Sequence, residues 1–270
     1  MLSRFLIAAL AFAGSLFAQG NSDWMQPFPA HRVVGNVYYV GSKGLASYLV
    51  TTSQGHILIN SSFEESVPLI RKSIESLGFK FSDVKILLIS HAHSDHCAGS
   101  ALVKELTGAK YMVMDADVPE IEGATAYKRV KVDRVLHDGD EVKLGDAVLV
   151  AHLTPGHTKG CTTWTMKARD GGKTYDVVVV GSPNVNAGVK LVNNAAYPQI
   201  AQDYERMWRV LKSLPCDVFL GAHGNYYGME AKFAQVKKDG PNPFIDPAGY
   251  QSYIAERQQA FRAELKKQSQ

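Results

Sequence analysis

The stretch VKILLISHAHSDH, residues 84 to 96, constrains the fold more than any other feature of this 270-residue chain. Its first half is a short apolar run, which is typical of a strand buried on both faces of a sheet. Directly after it, three histidines and an aspartate occupy six consecutive positions. If these histidines were protonated, their positive charges would repel one another, and burying the polar side chains would cost desolvation energy. A bound cation offsets both costs. The stretch therefore predicts a buried strand that leads into a metal-binding loop.

Two more strand-like segments end in a histidine next to glycine, AHLTPGHTKG and DVFLGAHGN. Adjacent side chains diverge, so Asp95 and His96 cannot both join an ion held by His91 and His93 without strain. Imidazole and carboxylate are good zinc donors, and six of them without a thiolate fit two zinc ions that share a water or hydroxide. We predict three ligands for each ion, namely His91, His93 and His157 for the first, and Asp95, His96 and His223 for the second.

Three protein ligands per ion leave positions for water and substrate, which is typical of a catalytic zinc. Zinc lowers the pKa of its bound water to about 7, so hydroxide forms at neutral pH without a separate strong base. The donor set therefore predicts hydrolysis of a carbonyl or phosphoryl bond. We expect the remaining histidines to be structural or surface residues: His31, His56, His137 and His152.

The order of strand and helix patterns predicts the architecture. Strand-like segments fill residues 32–60, and strands and helices alternate from there to a charged C-terminal helix after Phe244. No linker, repeat or low-complexity block interrupts the sequence, and 46% of the residues are hydrophobic. We predict an α/β fold in one domain, a four-layered αβ/βα sandwich of two mixed β-sheets flanked by helices.

The first twenty residues, MLSRFLIAALAFAGSLFAQG, have one early arginine, an apolar stretch and then small residues, which is the layout of a secretory signal peptide. We predict that residues 1–18 are the signal peptide, with cleavage possible as late as residue 20, and that residues 19–270 form a single catalytic domain. The apolar stretch is shorter than the ~20 residues of a spanning helix. We therefore expect no stable membrane association after cleavage.

Charge and cysteine content exclude other classes of protein. Loss of Arg4 with the signal leaves 28 basic against 26 acidic residues, too weak a balance for nucleic-acid binding. The three cysteines are odd in number and lack CxxC spacing, which argues against a disulfide framework or a thiolate zinc site. We expect Cys97 to be a small buried apolar residue.

HAHSDH, GHTKG and GAHG resemble the motifs of the metallo-β-lactamase superfamily, and the resemblance runs through essentially the whole mature chain. It implies the four-layered sandwich described above. Because glyoxalase II enzymes, lactonases and ribonucleases share HxHxDH, that motif alone does not identify the substrate. In VVVVGSPNVNAG, however, Ser182 stands where many relatives carry a metal-bridging aspartate and the B1 and B2 β-lactamases a zinc-binding cysteine. Together with His96, this resembles subclass B3, whose second zinc is held by Asp, His and His.

The resemblance implies that a hydroxide between two zincs attacks the β-lactam carbonyl of penicillins, cephalosporins or carbapenems. With the signal peptide, it implies a periplasmic enzyme that confers antibiotic resistance. Asp95 and His157 are then catalytic as well as metal-binding. The positions that contact substrate or the second metal's water in the family correspond to Ser182, Asn184 and Asn186, although S-P-N is also a turn sequence. Cys216 is expected to be a free, buried thiol.

Two alternatives stay open. A hydrolase of another cyclic ester or amide, such as a lactonase, would use the same donors, although the serine in place of the bridging aspartate argues against it. A non-catalytic exported zinc-binding protein is disfavoured because all six ligands are present. For the β-lactamase itself we expect a small-molecule β-lactam substrate, no nucleic-acid partner and a monomer. Trp24 and the segment 117–125 are candidate walls of the substrate groove.

Overall fold

The structure, a computed structural model, describes residues 23–238 and 240–270, so the predicted signal peptide lies outside the described residues. Within those ranges, no helix combines the length and the apolar character that crossing a membrane requires. Two sheets, one of seven strands and one of five, form the centre of the molecule.

The seven-stranded sheet contains β1 (His31–Val34), β2 (Val37–Tyr39), β3 (Tyr48–Thr52), β4 (Gly55–Ile59), β5 (Val84–Leu88), β6 (Lys110–Met114) and β7 (Arg134–Leu136). The strands lie in chain order across the sheet. Strands β1 to β4 form an antiparallel meander, and the neighbours from β4 to β7 are parallel. Parallel neighbours need long crossovers, and helices occupy the connections after β4, β5 and β6.

The five-stranded sheet contains β8 (Glu141–Leu144), β9 (Ala147–Leu153), β10 (Thr162–Asp170), β11 (Lys173–Val180) and β12 (Val218–Gly221). Their order across the sheet is β12-β11-β10-β9-β8. The β11–β12 pair is parallel and the other pairs are antiparallel. Both sheets are therefore mixed, as the sequence predicts.

The helices with both ends among the described residues are α1 (Val67–Ser76), α2 (Ser94–Cys97), α3 (Ser100–Thr107), α4 (Val118–Gly123), α5 (Ile200–Ser213), α6 (Met229–Ala234) and α7 (Pro247–Gln268). Short 3-10 turns occupy Glu64–Ser66, Phe81–Asp83, Asp115–Asp117 and Gly224–Tyr227. Helix α3 ends at Gly108, which caps it with a left-handed backbone at φ 68°.

Two apolar cores separate the layers, and β5 contributes to both. Ile86 and Leu88 belong to the core that joins the two sheets and reaches α5 and α7. Leu87 and Ile89 belong to the core beneath α1 and α3. Successive side chains of a strand point to opposite faces, so the unbroken apolar run from Ile86 to Ile89 is covered on both. This confirms the buried strand before the histidine cluster and the four-layered sandwich.

The three thiols are free. Cys97 is buried in the core beneath α1 and α3, as expected for a small apolar residue. Cys216 is half-buried rather than buried, because it lies in the connection between α5 and β12 and packs only against the edge of the core.

Candidate metal centre

The histidine cluster after β5 lies in an irregular turn and in the short helix α2. His91 and His93 precede α2, and Asp95 and His96 lie within it. The side chain of Asn60 holds the start of the turn, because its Oδ1 accepts a hydrogen bond from the Ser90 N–H at 2.8 Å. His91 and His96 are buried, whereas His93 and Asp95 line the cleft above them.

The second sheet supplies the other two predicted ligands. His157 lies in the loop between β9 and β10, and His223 follows β12. The Thr162 N–H donates to the Ser90 carbonyl at 2.7 Å, which joins the start of β10 to the turn after β5. Leu45 pairs with His223 in an isolated antiparallel bridge. Contacts between the two sheets thus bring all six predicted ligands to one edge of the sandwich.

Asp95, His96 and His223 place their donor atoms in a small triangle. The Oδ2 atom of Asp95 lies 3.1 Å from Nε2 of His96 and 3.5 Å from Nε2 of His223. The two Nε2 atoms are 3.2 Å apart. Ligand atoms about 2.0–2.1 Å from a tetrahedral zinc lie about 3.3 Å from one another. The three donors therefore have the spacing that one zinc ion requires.

His91, His93 and His157 form a second group, whose donor atoms all lie within 4.8 Å of one another. Nδ1 of His157 donates to the Asn184 carbonyl at 2.8 Å, which leaves Nε2 free to bind a metal. Nε2 of His91 is buried without a hydrogen-bond partner among the described residues. A buried polar atom without a partner is costly, and a cation at this position would remove the cost.

Burial and repulsion from neighbouring histidines keep the imidazoles of His157 and His223 neutral. Burial, with repulsion from His93, lowers the pKa of His157 to about 3. Burial, with repulsion from His96, likewise lowers the pKa of His223 to about 3. Burial alone would raise the pKa of Asp95, but attraction to the neighbouring histidines and the hydrogen bond from His96 together outweigh it and hold that pKa well below its usual range. His157 and His223 thus offer neutral imidazoles and Asp95 a carboxylate, which is the ionisation state that zinc binding requires.

The metal-free protein is expected to lose stability in mild acid. The pKa of His157 and His223 is about 3 in the folded state and about 6.5 in the unfolded chain, which therefore binds more protons between these values. The free energy of unfolding then falls as pH drops from about 6.5 to 3, by about 2 kcal/mol per histidine at pH 5. Denaturant unfolding of the chelated protein at pH 8 and pH 5 measures this loss.

Two variants control that experiment. His157→Ala should reduce the pH dependence, whereas His137→Ala, at an exposed histidine paired with Asp115, should leave it unchanged. Equal pH dependence in the chelated protein and its His157→Ala variant would contradict the prediction.

The two ligand groups form the floor of a cleft of about 580 Å³. That volume suits a small molecule. Asn184 and Asn186, two of the predicted substrate contacts, line the cleft. Ser182, the third, is buried at 1% exposure, and its Oγ lies 3.1 Å from Oη of Tyr226. Asn184 and Asn186 therefore reach the cleft directly, whereas Ser182 lies behind its surface in contact with Tyr226, which lines the cleft.

Tyr226 is not among the residues predicted from the sequence, although it belongs to the site. Its ring centroid lies 5.1 Å from that of His223, and its side chain lines the cleft. The signal was its position three residues after His223, in the turn Gly224–Tyr227. Because the chain turns sharply after this predicted metal ligand, the side chains that follow it also face the cleft.

Of the two candidate walls, only Trp24 lines the cleft. Its ring centroid lies 5.7 Å from that of His223 and 6.2 Å from that of Phe63. Within the described ranges, the lining residues include none from the segment 117–125. The other four histidines do not line the cleft either, and His152, for example, hydrogen-bonds to Oγ1 of Thr165 at 2.8 Å.

Comparison with known proteins decides the family. The family model described as the metallo-beta-lactamase superfamily matches residues 44–223, which include all six predicted ligands. The chain belongs to the metallo-β-lactamase superfamily. Its superfamily fold agrees with the two mixed sheets and flanking helices of the structure.

Two solved members of the superfamily are similar to this chain over almost their whole length. Native FEZ-1 metallo-β-lactamase from Legionella gormanii is 53% identical, with a TM-score of 0.88, and the match covers 90% of this chain and 98% of FEZ-1. BJP-1, a subclass B3 metallo-β-lactamase of Bradyrhizobium japonicum, is 39% identical, with a TM-score of 0.88 and coverage of 93% and 98%. The superfamily and these neighbours support a hydrolase.

A curated superfamily relative is more distant. Human mitochondrial persulfide dioxygenase ETHE1 is 28% identical over 116 residues, which are 43% of this chain and 41% of that protein. The chain thus matches less than half the length of this relative.

Proposed function

We propose that this protein is a zinc-dependent β-lactamase that hydrolyses the amide bond of the β-lactam ring in penicillins, cephalosporins or carbapenems. The main support is the Asp95, His96 and His223 triangle beside the three-histidine group, in a chain 53% identical to FEZ-1 over 90% of its length. We further propose that residues 19–270 act as one domain in the periplasm and confer antibiotic resistance. One core shared by both sheets supports the single domain.

The donor chemistry fits two zinc ions. Imidazole nitrogens and one carboxylate without a thiolate suit zinc, and the triangle has the edge lengths of a tetrahedral site. His91, His93 and His157 would hold one ion, and Asp95, His96 and His223 the other. When bound, zinc polarises a carbonyl and lowers the pKa of a bound water to about 7.

The chain's own residues orient the ligands and the substrate. The hydrogen bond from Nδ1 of His157 to the Asn184 carbonyl fixes the imidazole plane and joins a predicted ligand to the predicted substrate-binding segment. Asp95 stays ionised at neutral pH, so its Oδ2 remains an acceptor at the cleft floor. Ser182 and Tyr226 offer hydroxyl donors to the carboxylate of a β-lactam.

Ser182→Ala is expected to raise KM about 2- to 10-fold with little change in kcat, because one hydrogen bond contributes about 0.5–1.5 kcal/mol to binding. Tyr226→Phe tests the partner hydroxyl, 3.1 Å from Ser182 Oγ, in the same way. Steady-state kinetics on a penicillin and a carbapenem measure both effects, with Ser213→Ala on the exposed side of α5 as control. An unchanged KM for every substrate would reduce Ser182 to a turn residue.

The deciding experiment is hydrolysis by the purified mature protein with two equivalents of zinc, and again after chelation. A chromogenic cephalosporin and a carbapenem are the main substrates, and a lactone and a thioester are assayed in parallel. Zinc-dependent turnover of both β-lactams is expected. Turnover of the lactone alone would replace the proposal with a lactonase, and two bound zincs without any turnover would favour the non-catalytic zinc-binding protein.

A further inference from the structure

Asp117 is a buried carboxylate that the proposed chemistry does not use. It ends the 3-10 turn after β6, and only 3% of the residue is exposed. Its Oδ2 accepts hydrogen bonds from the Ala92 N–H and the Thr158 hydroxyl, both at 2.9 Å. Its Oδ1 accepts the Gly160 N–H at 2.7 Å. Both carboxylate oxygens are therefore engaged by backbone or hydroxyl donors.

These three donors belong to the two loops that carry the three-histidine group. Ala92 lies between His91 and His93, and Thr158 directly follows His157. A single carboxylate thus connects the turn after β5 with the loop between β9 and β10. The loops come from different sheets, so this connection crosses the sandwich at its metal-binding edge.

The packing around the carboxylate is tight. A Cβ atom on Gly160 would lie 2.6 Å from the backbone nitrogen of Asp117 and 2.7 Å from its Cγ. Such contacts are closer than real Cβ atoms make, so only glycine allows the loop to approach Asp117 this closely. The glycine of the GHTKG motif therefore serves the contact with Asp117.

This position requires a carboxylate. Burial raises the pKa of Asp117 to about 6, although the hydrogen bonds from Gly160, Thr158 and Ala92 favour its charged form. An asparagine would have one acceptor oxygen, and in either orientation its NH₂ group would face a backbone N–H. The carboxylate satisfies donors on both sides, which an amide cannot do.

We propose that Asp117 is a positioning residue that sets the spacing of His91, His93 and His157 and so controls the affinity of the first zinc site. The inference rests on the proposed metal sites. Residues that hold metal ligands in place without binding the metal contribute about 10- to 100-fold to metal affinity. Because the contacts of Asp117 reach the loops of the first group, the site of Asp95, His96 and His223 should respond far less.

The test is a competitive zinc titration of the full mature chain against a chromophoric chelator, which resolves two dissociation constants. His157→Ala and His223→Ala identify which constant belongs to which site. Asp117→Asn is expected to weaken the first-site constant about 10- to 100-fold and to leave the second within about 2-fold. Cobalt substitution adds a second readout, since the visible spectrum of the first site should change.

Two further variants separate positioning from general damage. Gly160→Ala keeps the carboxylate but forces it away, so it should weaken the same site even if Asp117→Asn fails to fold. Asp133→Asn is the matched control, because Asp133 accepts the Tyr111 N–H at 2.8 Å near the opposite end of β6. Both zinc dissociation constants of this control should equal those of the unaltered protein.

The outcomes distinguish this inference from the proposed function. Unchanged first-site affinity in Asp117→Asn and Gly160→Ala, or equal weakening of both sites, overturns the positioning role and leaves the β-lactamase proposal standing. Two zincs bound by the unaltered protein without β-lactam turnover overturn the activity, and the titration still decides the role of Asp117. An unaltered protein that binds no zinc overturns both.

Discussion

His223→Ala is expected to release the second zinc and to lower β-lactam turnover by more than about 100-fold. Loss of a residue that only supports a metal ligand already lowers metal affinity or activity about 10- to 100-fold. Loss of the ligand itself also removes a direct bond to the metal. Nε2 of His223 lies 3.2 Å from Nε2 of His96 and 3.5 Å from Oδ2 of Asp95, so it forms one corner of the triangle. Zinc per chain, measured by mass spectrometry, and steady-state kinetics give the result.

The fold of the His223→Ala variant should stay intact, because this residue follows β12 and its side chain lines the cleft rather than the core. His152→Ala is the matched control, since His152 is partly buried in β9 and bonds to Thr165 instead. The control should keep two zincs and its turnover. Two zincs at full occupancy in His223→Ala would refute the ligand assignment.

Trp164→Ala is expected to lower the free energy of unfolding by about 3–5 kcal/mol, the largest stability effect among these variants. Trp164 is only 1% exposed and lies in the core between the sheets. Its Nε1–H donates to the Ile89 carbonyl at 3.0 Å, just beyond the end of β5. The substitution leaves both a cavity and an unpaired carbonyl. Urea unfolding at pH 7, with the same zinc content in all samples, measures the loss.

Trp164→Phe separates the two contributions. It keeps most of the buried ring but leaves the Ile89 carbonyl without its donor, so a loss of about 1–3 kcal/mol is expected. If Trp164→Phe loses as much stability as Trp164→Ala, the hydrogen bond rather than the cavity dominates. A loss below about 1 kcal/mol for Trp164→Ala would contradict the role of this side chain in joining the sheets.

Much of the fold could be predicted because its signals are local. The apolar run of β5 requires cover on both faces, and Gly108 after the apolar periodicity of α3 marks the end of that helix. The half-buried state of Cys216 could not be predicted, because the cover on a connecting segment depends on how neighbouring elements pack. Trp24 was one of two candidate walls in the sequence, and only the tertiary structure distinguishes it from the segment 117–125 through its contact with His223.

The sequence by itself determined the donor chemistry, because HAHSDH places four possible ligands within six positions after one buried strand. Only the tertiary structure decided the distances between donors. His96 and His223 are 127 positions apart, and their Nε2 atoms meet at 3.2 Å because two sheets pack around one core. The contacts of Tyr226 with Ser182 and of Asp117 with Gly160 have the same origin. Local patterns specify strands and helices, whereas the packing of distant segments sets which side chains meet.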